Sequence, residues 1–225
     1  MSIQSQMREI AATYYSNPFH NWPHGLGVWN AMMKLEKSRW VVSPGRMAGY
    51  FHDSDHRWFV QEDDEERATQ IAHDKLIEWW YTRDYIASVR THIMGTIFNE
   101  RAHLILPEQK LIADADLSKL WGGYIRFVQN SVRYLLETEK KWDISDDRIR
   151  EFFKKDQPGF FQHLRNISGK SETPFLTPQA QKMYPNFARN TDTLAQDAEE
   201  NPAKLIEEVR KLEARPDIVA YRKTA

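Results

Sequence analysis

Apolar residues recur every three or four positions along most of the chain, and no stretch alternates apolar and polar residues long enough to build a sheet. This spacing matches the 3.6-residue turn of an α-helix, whereas a half-buried strand needs a period of two. In residues 3–16, for example, Ile3, Met7, Ile10 and Tyr14 fall on one side of a helix. The sequence therefore predicts an all-α fold.

Capping residues, prolines and glycines suggest where the predicted helices begin and end. We predict helices at about 3–16, 23–38, 44–53, 65–81, 83–98, 107–120, 124–141, 145–165, 178–196 and 202–213. Pro23 and Pro44 suit the first turn of a helix, and Ser43 is a typical N-terminal cap. We assign residues 1–197 to one domain and residues 198–225 to a charged C-terminal helix and tail that we expect to pack loosely.

The composition excludes several kinds of function. The 225 residues include no cysteine, which rules out disulfides, thiolate zinc sites and a cysteine nucleophile. The net charge of −1 gives no overall positive field to hold a nucleic-acid polymer, although a small anionic substrate needs only local positive groups or a metal. No run of about 18 apolar residues is present, and the N-terminus lacks the apolar core of a signal peptide. We therefore expect a cytoplasmic protein that binds neither nucleic-acid polymers nor membranes.

A histidine and an aspartate, His52 and Asp53, stand together at the end of an apolar segment. Imidazole and carboxylate groups together suit a divalent transition metal, Mg²⁺ or Mn²⁺. Alone, such a pair is more often the polar end of a capped helix than a metal site. His24, at the start of the second predicted helix, and an aspartate of the helix at 107–120 would complete a set of four ligands.

That helix offers two aspartates, Asp114 and Asp116. At about 100° per residue they lie about 200° apart and cannot share a helix face. Asp116 falls in line with Ile112, Leu117 and other apolar residues, where a carboxylate would be costly unless paired or bound to metal. We therefore predict Asp116 as the ligand, and Asp114 as a group that is exposed to solvent or lies behind the ligands. The alternative for Asp116 is a buried ion pair with an arginine.

The order His24, His52-Asp53, Asp116 resembles the ligand order of the HD superfamily of metal-dependent phosphohydrolases. The resemblance covers about residues 10–195 and is stronger to one branch, the predicted metal-dependent HD phosphohydrolases. It is carried by three motifs: His20-Asn21-Trp22-Pro23-His24, Phe51-His52-Asp53 and Asp114-Ala115-Asp116-Leu117-Ser118-Lys119-Leu120. The helix start at 64–69 departs from the branch, with Asp64 for an asparagine and Ala68-Thr69 for Ser-Ala.

The resemblance implies an HD-domain helical bundle with additional C-terminal helices. It also implies one divalent metal ion (Mn, Mg, Co, Fe, Ni or Zn) held by His24, His52, Asp53 and Asp116. Asp53 and Glu65 are the candidate catalytic residues, Asp53 by orienting or deprotonating water. His20 and Arg133 are the candidate contacts to a substrate phosphate. A solvated loop histidine, a plain N-terminal helix charge and a structural ion pair are the alternatives for His20, Glu65 and Arg133 respectively.

We therefore expect hydrolysis of a phosphomonoester or phosphoanhydride in a small phosphorylated metabolite, with a nucleotide as the first candidate. One alternative is a two-metal HD-type oxygenase that uses iron, with His73 and His92 as extra ligands. Because the charged residues Asp74 and Lys75 directly follow His73, a surface position is the competing interpretation of that residue. Another alternative is a nucleotide-binding regulatory module without turnover.

Overall fold

Twelve α-helices contain most of the residues that the computed structural model describes, which are 3–14, 17–36, 42–55, 63–139, 143–169 and 173–215. These ranges contain no strand, so the predicted all-α fold is confirmed. In chain order the helices are α1 Ile3–Tyr14, α2 Trp22–Leu35, α3 Pro44–Phe51, α4 Asp64–Glu78, α5 Arg83–Met94, α6 Pro107–Asp116, α7 Tyr124–Glu139, α8 Asp146–Glu151, α9 Gln157–Ser168, α10 Pro178–Met183, α11 Phe187–Glu200 and α12 Pro202–Glu213.

The chain divides into two compact units that are not continuous in sequence. The first comprises Met1–Ser118 and Leu176–Ala180, and the second comprises Lys119–Phe175 and Gln181–Ala225. The domain boundary predicted between residues 197 and 198 stays a prediction, and α11 runs across it without a break. Within the described ranges, every helix is too short or too polar to cross a lipid bilayer.

In the first unit, the short helix α3 is buried from Gly45 to Phe51 and packs against α2, α4, α5 and α6. Ser43 caps its N-terminus as predicted, because the serine side chain accepts a hydrogen bond from the Arg46 amide. A Cβ atom on Gly49 would lie 2.9 Å from Val28 Cγ1 and 3.3 Å from the Trp29 amide nitrogen. The absence of a side chain at Gly49 therefore lets α3 approach the backbone of α2 closely.

In the second unit, α7 buries an apolar stripe against α12, which contributes Leu205, Val209 and Leu212. The expected loose packing of the C-terminal helix is therefore wrong for α12. Most of its charges lie away from Leu205, Val209 and Leu212, which leaves an apolar side free to pack. Residues 216–225 lie outside the described residues.

Three predicted helices differ from the observed ones in continuity. The segment predicted at 178–196 forms α10 and α11, separated around Pro185, because proline lacks the backbone N–H and disfavours helix at the residue before it. The segment predicted at 145–165 contains a π-helical turn, Phe152–Asp156, between α8 and α9. The helix predicted at 107–120 ends at Asp116 and continues as a 3₁₀ segment, Leu117–Trp121.

Candidate metal centre

The side chains of His24, His52, Asp53 and Asp116 meet at one point of the first unit. Each offers a possible ligand atom, and these four atoms all lie within 4.8 Å of one another. The Nε2 atoms of the two histidines are 3.2 Å apart, and Asp116 Oδ1 lies 2.9 Å from His24 Nε2 and 3.2 Å from His52 Nε2. Asp53 Oδ2 lies 3.0 and 2.9 Å from the same two nitrogens. The structure thus brings together the four predicted ligands.

Three helix ends place these side chains. His24 belongs to the first turn of α2, which Asn21 caps by accepting a hydrogen bond from the His24 amide at 3.0 Å. His52 and Asp53 directly follow α3, and Asp116 is the last residue of α6. The asparagine of the His-Asn-x-x-His motif therefore has a structural role, because it fixes the start of the helix that carries His24.

His52 is oriented by a backbone carbonyl. Its Nδ1 lies 3.0 Å from the oxygen of Gly49, one turn earlier in α3. A carbonyl oxygen can only accept, so the hydrogen of the neutral imidazole belongs on Nδ1, and the lone pair on Nε2 points to the cluster. A histidine that binds a metal through Nε2 characteristically donates the hydrogen of its Nδ1 to a carbonyl or carboxylate oxygen in this way.

The hydrogen bonds within the cluster leave one buried carboxylate oxygen unsatisfied. Asp53 Oδ2 is buried and has no hydrogen bond of acceptable geometry in the described part of the chain, although two imidazole nitrogens lie about 3 Å away. An unsatisfied buried acceptor is costly. The close atoms instead converge on a common centre, and two imidazoles with two carboxylates are a donor set that divalent cations accept. The residues present therefore fit a divalent metal ion.

The two carboxylates and the two imidazoles change each other's ionisation. Burial opposes the charge on Asp116, but His24 and His52 outweigh it and hold the pKa of Asp116 below its usual value. Burial also opposes ionisation of Asp53, yet His52 and the other nearby histidines lower its pKa. Conversely, burial disfavours the imidazolium of His52, but the two aspartates raise its pKa well above the usual value. Both aspartates are therefore ionised near neutral pH and offer negative charge to a cation.

Glu65 and His20 both lie beside this cluster. Glu65 is in the first turn of α4, and its pKa is raised by burial and by the nearby charges of Asp53 and Asp64. The ring of His20 is 5.7 Å from that of His24, centre to centre, and its positive form lowers the pKa of Asp53. The catalytic role of Glu65 and the substrate-binding role of His20 stay predictions.

The other histidines considered as ligands lie outside the cluster. His73 is partly exposed and its Nδ1 is 3.0 Å from Asp74, which agrees with the surface position. His92 is buried, and its Nδ1 lies 2.7 Å from the Ser88 carbonyl oxygen. In the described ranges, His24, His52, Asp53 and Asp116 are the one group of three or more such side chains that could hold a cation.

Arg133, the second predicted phosphate contact, lies on α7 in the second unit. The contact of Arg133 with a substrate phosphate stays a prediction.

Asp114 is not exposed, so that part of the prediction is wrong. Its side chain is 0% accessible and pairs with the buried Arg101, whose Nη2 lies 2.6 Å from Asp114 Oδ1. The carboxylate also accepts hydrogen bonds from the amides of Leu176 and Thr177, both at 2.8 Å, and from the Thr177 hydroxyl at 2.7 Å. Burial raises the pKa of Asp114, while Arg101 and these donors oppose the rise.

The error has a physical cause. A helix that buries only one face would expose Asp114, but in α6 the distant segment at 176–177 covers the opposite face as well. The buried ion pair considered for Asp116 is formed by Asp114 instead, while 28% of the Asp116 side chain remains accessible. No feature of the local sequence around Arg101 or Thr177 indicates these contacts, because they join residues far apart in the chain.

Comparison with known proteins gives a fold but no family. No family model and no curated protein matches the sequence. Among solved structures, the phosphodiesterase domain of Salpingoeca rosetta rhodopsin phosphodiesterase matches with a TM-score of 0.57 and 14% identity over 93% of this chain and 83% of that chain. A second structure, the phosphodiesterase domain of the RhoPDE fusion protein from the same choanoflagellate, gives 0.55 and 16% over 95% and 85%. At these identities the likeness shows a shared helical fold.

Proposed function

We propose that this protein is a metal-dependent phosphohydrolase of the HD type that acts on a small phosphorylated metabolite, with a nucleotide as the first candidate. The observation that carries the proposal is the convergence of His24, His52, Asp53 and Asp116, with Asp53 Oδ2 buried and unsatisfied. The fold similarity to two domains that are named phosphodiesterases supports phosphoester chemistry.

The four converging side chains would hold one divalent cation, with Mn, Mg, Co, Fe, Ni and Zn as candidates. A bound cation lowers the pKa of water and neutralises charge on a phosphoryl oxygen. The carbonyl of Gly49 orients His52 so that its Nε2 faces the other three side chains and would be available to the ion. The low pKa values of Asp53 and Asp116 keep both carboxylates charged when the ion arrives.

Two carboxyl groups in different environments suit the two proton transfers of a hydrolysis. Asp53, which is ionised, would orient the attacking water and accept its proton. Glu65, whose pKa is raised, would hold its proton to a higher pH than an ordinary glutamate and could donate it to the leaving oxygen. His20 lies beside the cluster, where its positive form could contact a phosphate oxygen.

We infer a small substrate from the small number of positive groups at the site. One cation and one histidine can neutralise a single phosphoryl group, whereas binding a nucleic-acid polymer requires several phosphates to be neutralised together. A net charge of −1 adds no long-range attraction for a polyanion. The cytoplasmic location and the independence from membranes and nucleic-acid polymers remain predictions.

The test is metal analysis followed by a phosphate-release screen. The purified protein should carry about one equivalent of divalent metal, and His52→Ala or Asp53→Ala should remove it. The screen should cover nucleoside monophosphates, triphosphates and phosphodiesters with Mg²⁺, Mn²⁺, Co²⁺ or Fe²⁺, and at least one should be hydrolysed. EDTA and Asp53→Ala should stop turnover, whereas Asp192→Ala, which changes an exposed carboxylate on α11, should not.

Two results would contradict the proposal. Full metal occupancy in the His52→Ala protein would refute the ligand assignment. Consumption of O₂ with an organic substrate, together with no turnover of any phosphorylated compound, would favour the oxygenase alternative.

A further inference from the structure

A long surface groove lies between α4 and α5 in the first unit. It consists of two adjoining cavities of about 690 and 990 Å³, which share Ala87 and Arg90 in their lining. From Glu66 to Ile77, its α4 wall extends about 16 Å at 1.5 Å per residue. The groove is therefore about three helical turns long.

One end of the groove exposes large apolar side chains at the turn between the two helices. Trp80 is 93% exposed and Ile77 is 53% exposed. Trp80 also has a φ of 64°, in the left-handed region that bulky residues rarely adopt. Strain and apolar exposure are both unfavourable at Trp80. Exposed apolar surface of this kind typically marks an interaction site.

The charges along the groove are divided between its two walls. Glu66 and Glu78 stand on α4, whereas Arg83 and Arg90 stand on α5. In the described ranges, Glu66, Arg83 and Arg90 form no ion pair, and Glu78 pairs with Lys75 of its own helix at 3.0 Å. Other surface arginines, such as Arg67 and Arg148, each bind several carboxylates. The acidic α4 wall is complementary in charge to a basic surface, and the basic α5 wall is complementary to an acidic one. A second copy of the groove, turned so that its walls are exchanged, offers both.

We propose that the α4–α5 groove is the interface of a two-fold symmetric dimer, so that its occupant is a second copy of this chain. A two-fold axis parallel to the groove sets α4 of one copy against α5 of the other. Glu66 then faces the partner subunit's Arg90, and Glu78 faces the partner subunit's Arg83. The turn that carries Trp80 meets its own copy at the same end of the groove. Such self-complementary interfaces are the commonest in soluble oligomers, and this inference does not depend on the proposed catalytic activity.

The test is a measurement of the dimer dissociation constant by analytical ultracentrifugation of the full chain. Glu66→Arg and Arg90→Glu should each weaken the dimer about tenfold or more, because each places like charges opposite one another twice per dimer. The double variant Glu66→Arg/Arg90→Glu should restore most of the affinity, since the pair forms again with reversed signs. Arg126→Glu, which changes an exposed arginine on α7, should have no effect.

Trp80→Gly separates an interface role from a structural role. Glycine adopts positive φ without strain, so the isolated chain should keep or raise its unfolding temperature while the dimer weakens. A protein that is monomeric up to hundred-micromolar concentrations would overturn the proposal. A dimer whose dissociation constant is unchanged by substitution of Glu66, Trp80 or Arg90 would overturn it as well. A dimer that responds to Glu66→Arg and Arg90→Glu but not to their combination would overturn the proposed pairing of α4 with α5.

Discussion

At the scale of single residues, a proton and a cation compete for the same nitrogen of His52. The Nδ1–H group of His52 donates to the Gly49 carbonyl oxygen, so only Nε2 is available to a second proton or to a cation. Burial disfavours the charged ring, but Asp53 and Asp116 outweigh burial and raise the pKa of His52 well above its usual value. In the metal-free protein, the ring therefore holds its second proton near neutral pH and must lose it to bind an ion.

Metal affinity should accordingly rise with pH. Below the raised pKa of His52, each ion that binds displaces a proton, so the affinity should increase by up to about tenfold per pH unit. Calorimetry between about pH 6 and about pH 8, in buffers of different ionisation enthalpy, would measure both the affinity and the protons released. An affinity that is flat over this range, with no proton release, would contradict the assignment of His52.

Glu65 should make the metal-free protein less stable as the pH rises. Burial and the charges of Asp53 and Asp64 raise its pKa in the folded state, so the folded protein binds this proton more tightly than the unfolded chain. The resulting stabilisation is complete below the unfolded pKa and is lost as the pH rises through the folded pKa. In EDTA, Glu65→Gln should therefore raise the unfolding temperature near pH 8 and leave it almost unchanged near pH 4. Equal effects at both pH values would show that Glu65 is not perturbed by the cluster.

At the scale of elements, α6 presents two aspartates with separate tasks. Asp116 ends the helix in the metal cluster, and Asp114 anchors the opposite face to Arg101 and Thr177. Removing one partner of a buried ion pair leaves the other charge unpaired and typically costs several kcal/mol. The two aspartates should therefore respond differently to the same substitution.

Asp114→Asn should lower the free energy of unfolding by about 3 kcal/mol, because Arg101 would remain buried and charged. Asp116→Asn should cost less stability in the metal-free protein but should abolish metal binding. Urea denaturation in EDTA and metal titration would measure the two effects. Adding Arg101→Met to Asp114→Asn should recover part of the lost stability. If Asp114→Asn and Asp116→Asn were equally stable, Asp114 would have no anchoring role.

The helix ends show how far the sequence alone could predict the elements. Ser43 and Pro44 predict the start of α3, and Pro23 predicts the start of α2, because the start of a helix is decided largely by neighbouring residues. The convergence of His24, His52, Asp53 and Asp116 followed from motif order and a resemblance. The burial of Asp114 could not be predicted, because it depends on a segment 63 residues away that covers the second face of α6.

At the scale of the whole molecule, the candidate metal centre joins distant parts of the chain. Its ligands come from the ends of α2, α3 and α6, and His24 and Asp116 are 92 residues apart. An unfolded chain does not hold these groups together, so a cation binds the folded protein almost exclusively. Binding of this kind stabilises the folded state by mass action.

Removing the metal should lower the unfolding temperature. At a free metal concentration about 100 times the dissociation constant, the stabilisation is about 2.7 kcal/mol, which corresponds to about 5–10 °C for a chain of this size. Thermal unfolding with and without EDTA would measure the shift. The Asp53→Ala protein should show no response to EDTA, and an equal response in that variant would mean that the ion binds elsewhere.

The return of Leu176–Ala180 to the first unit has a consequence for how the protein is made. During synthesis, residues 1–118 leave the ribosome first, but Asp114 then lacks the amides and hydroxyl that Leu176 and Thr177 supply. The 57 residues of Lys119–Phe175, which belong to the second unit, must be translated before those donors exist. The unit that carries the metal cluster is therefore the first to be synthesised in part. Its folding cannot be completed until residues 176–180 have been translated.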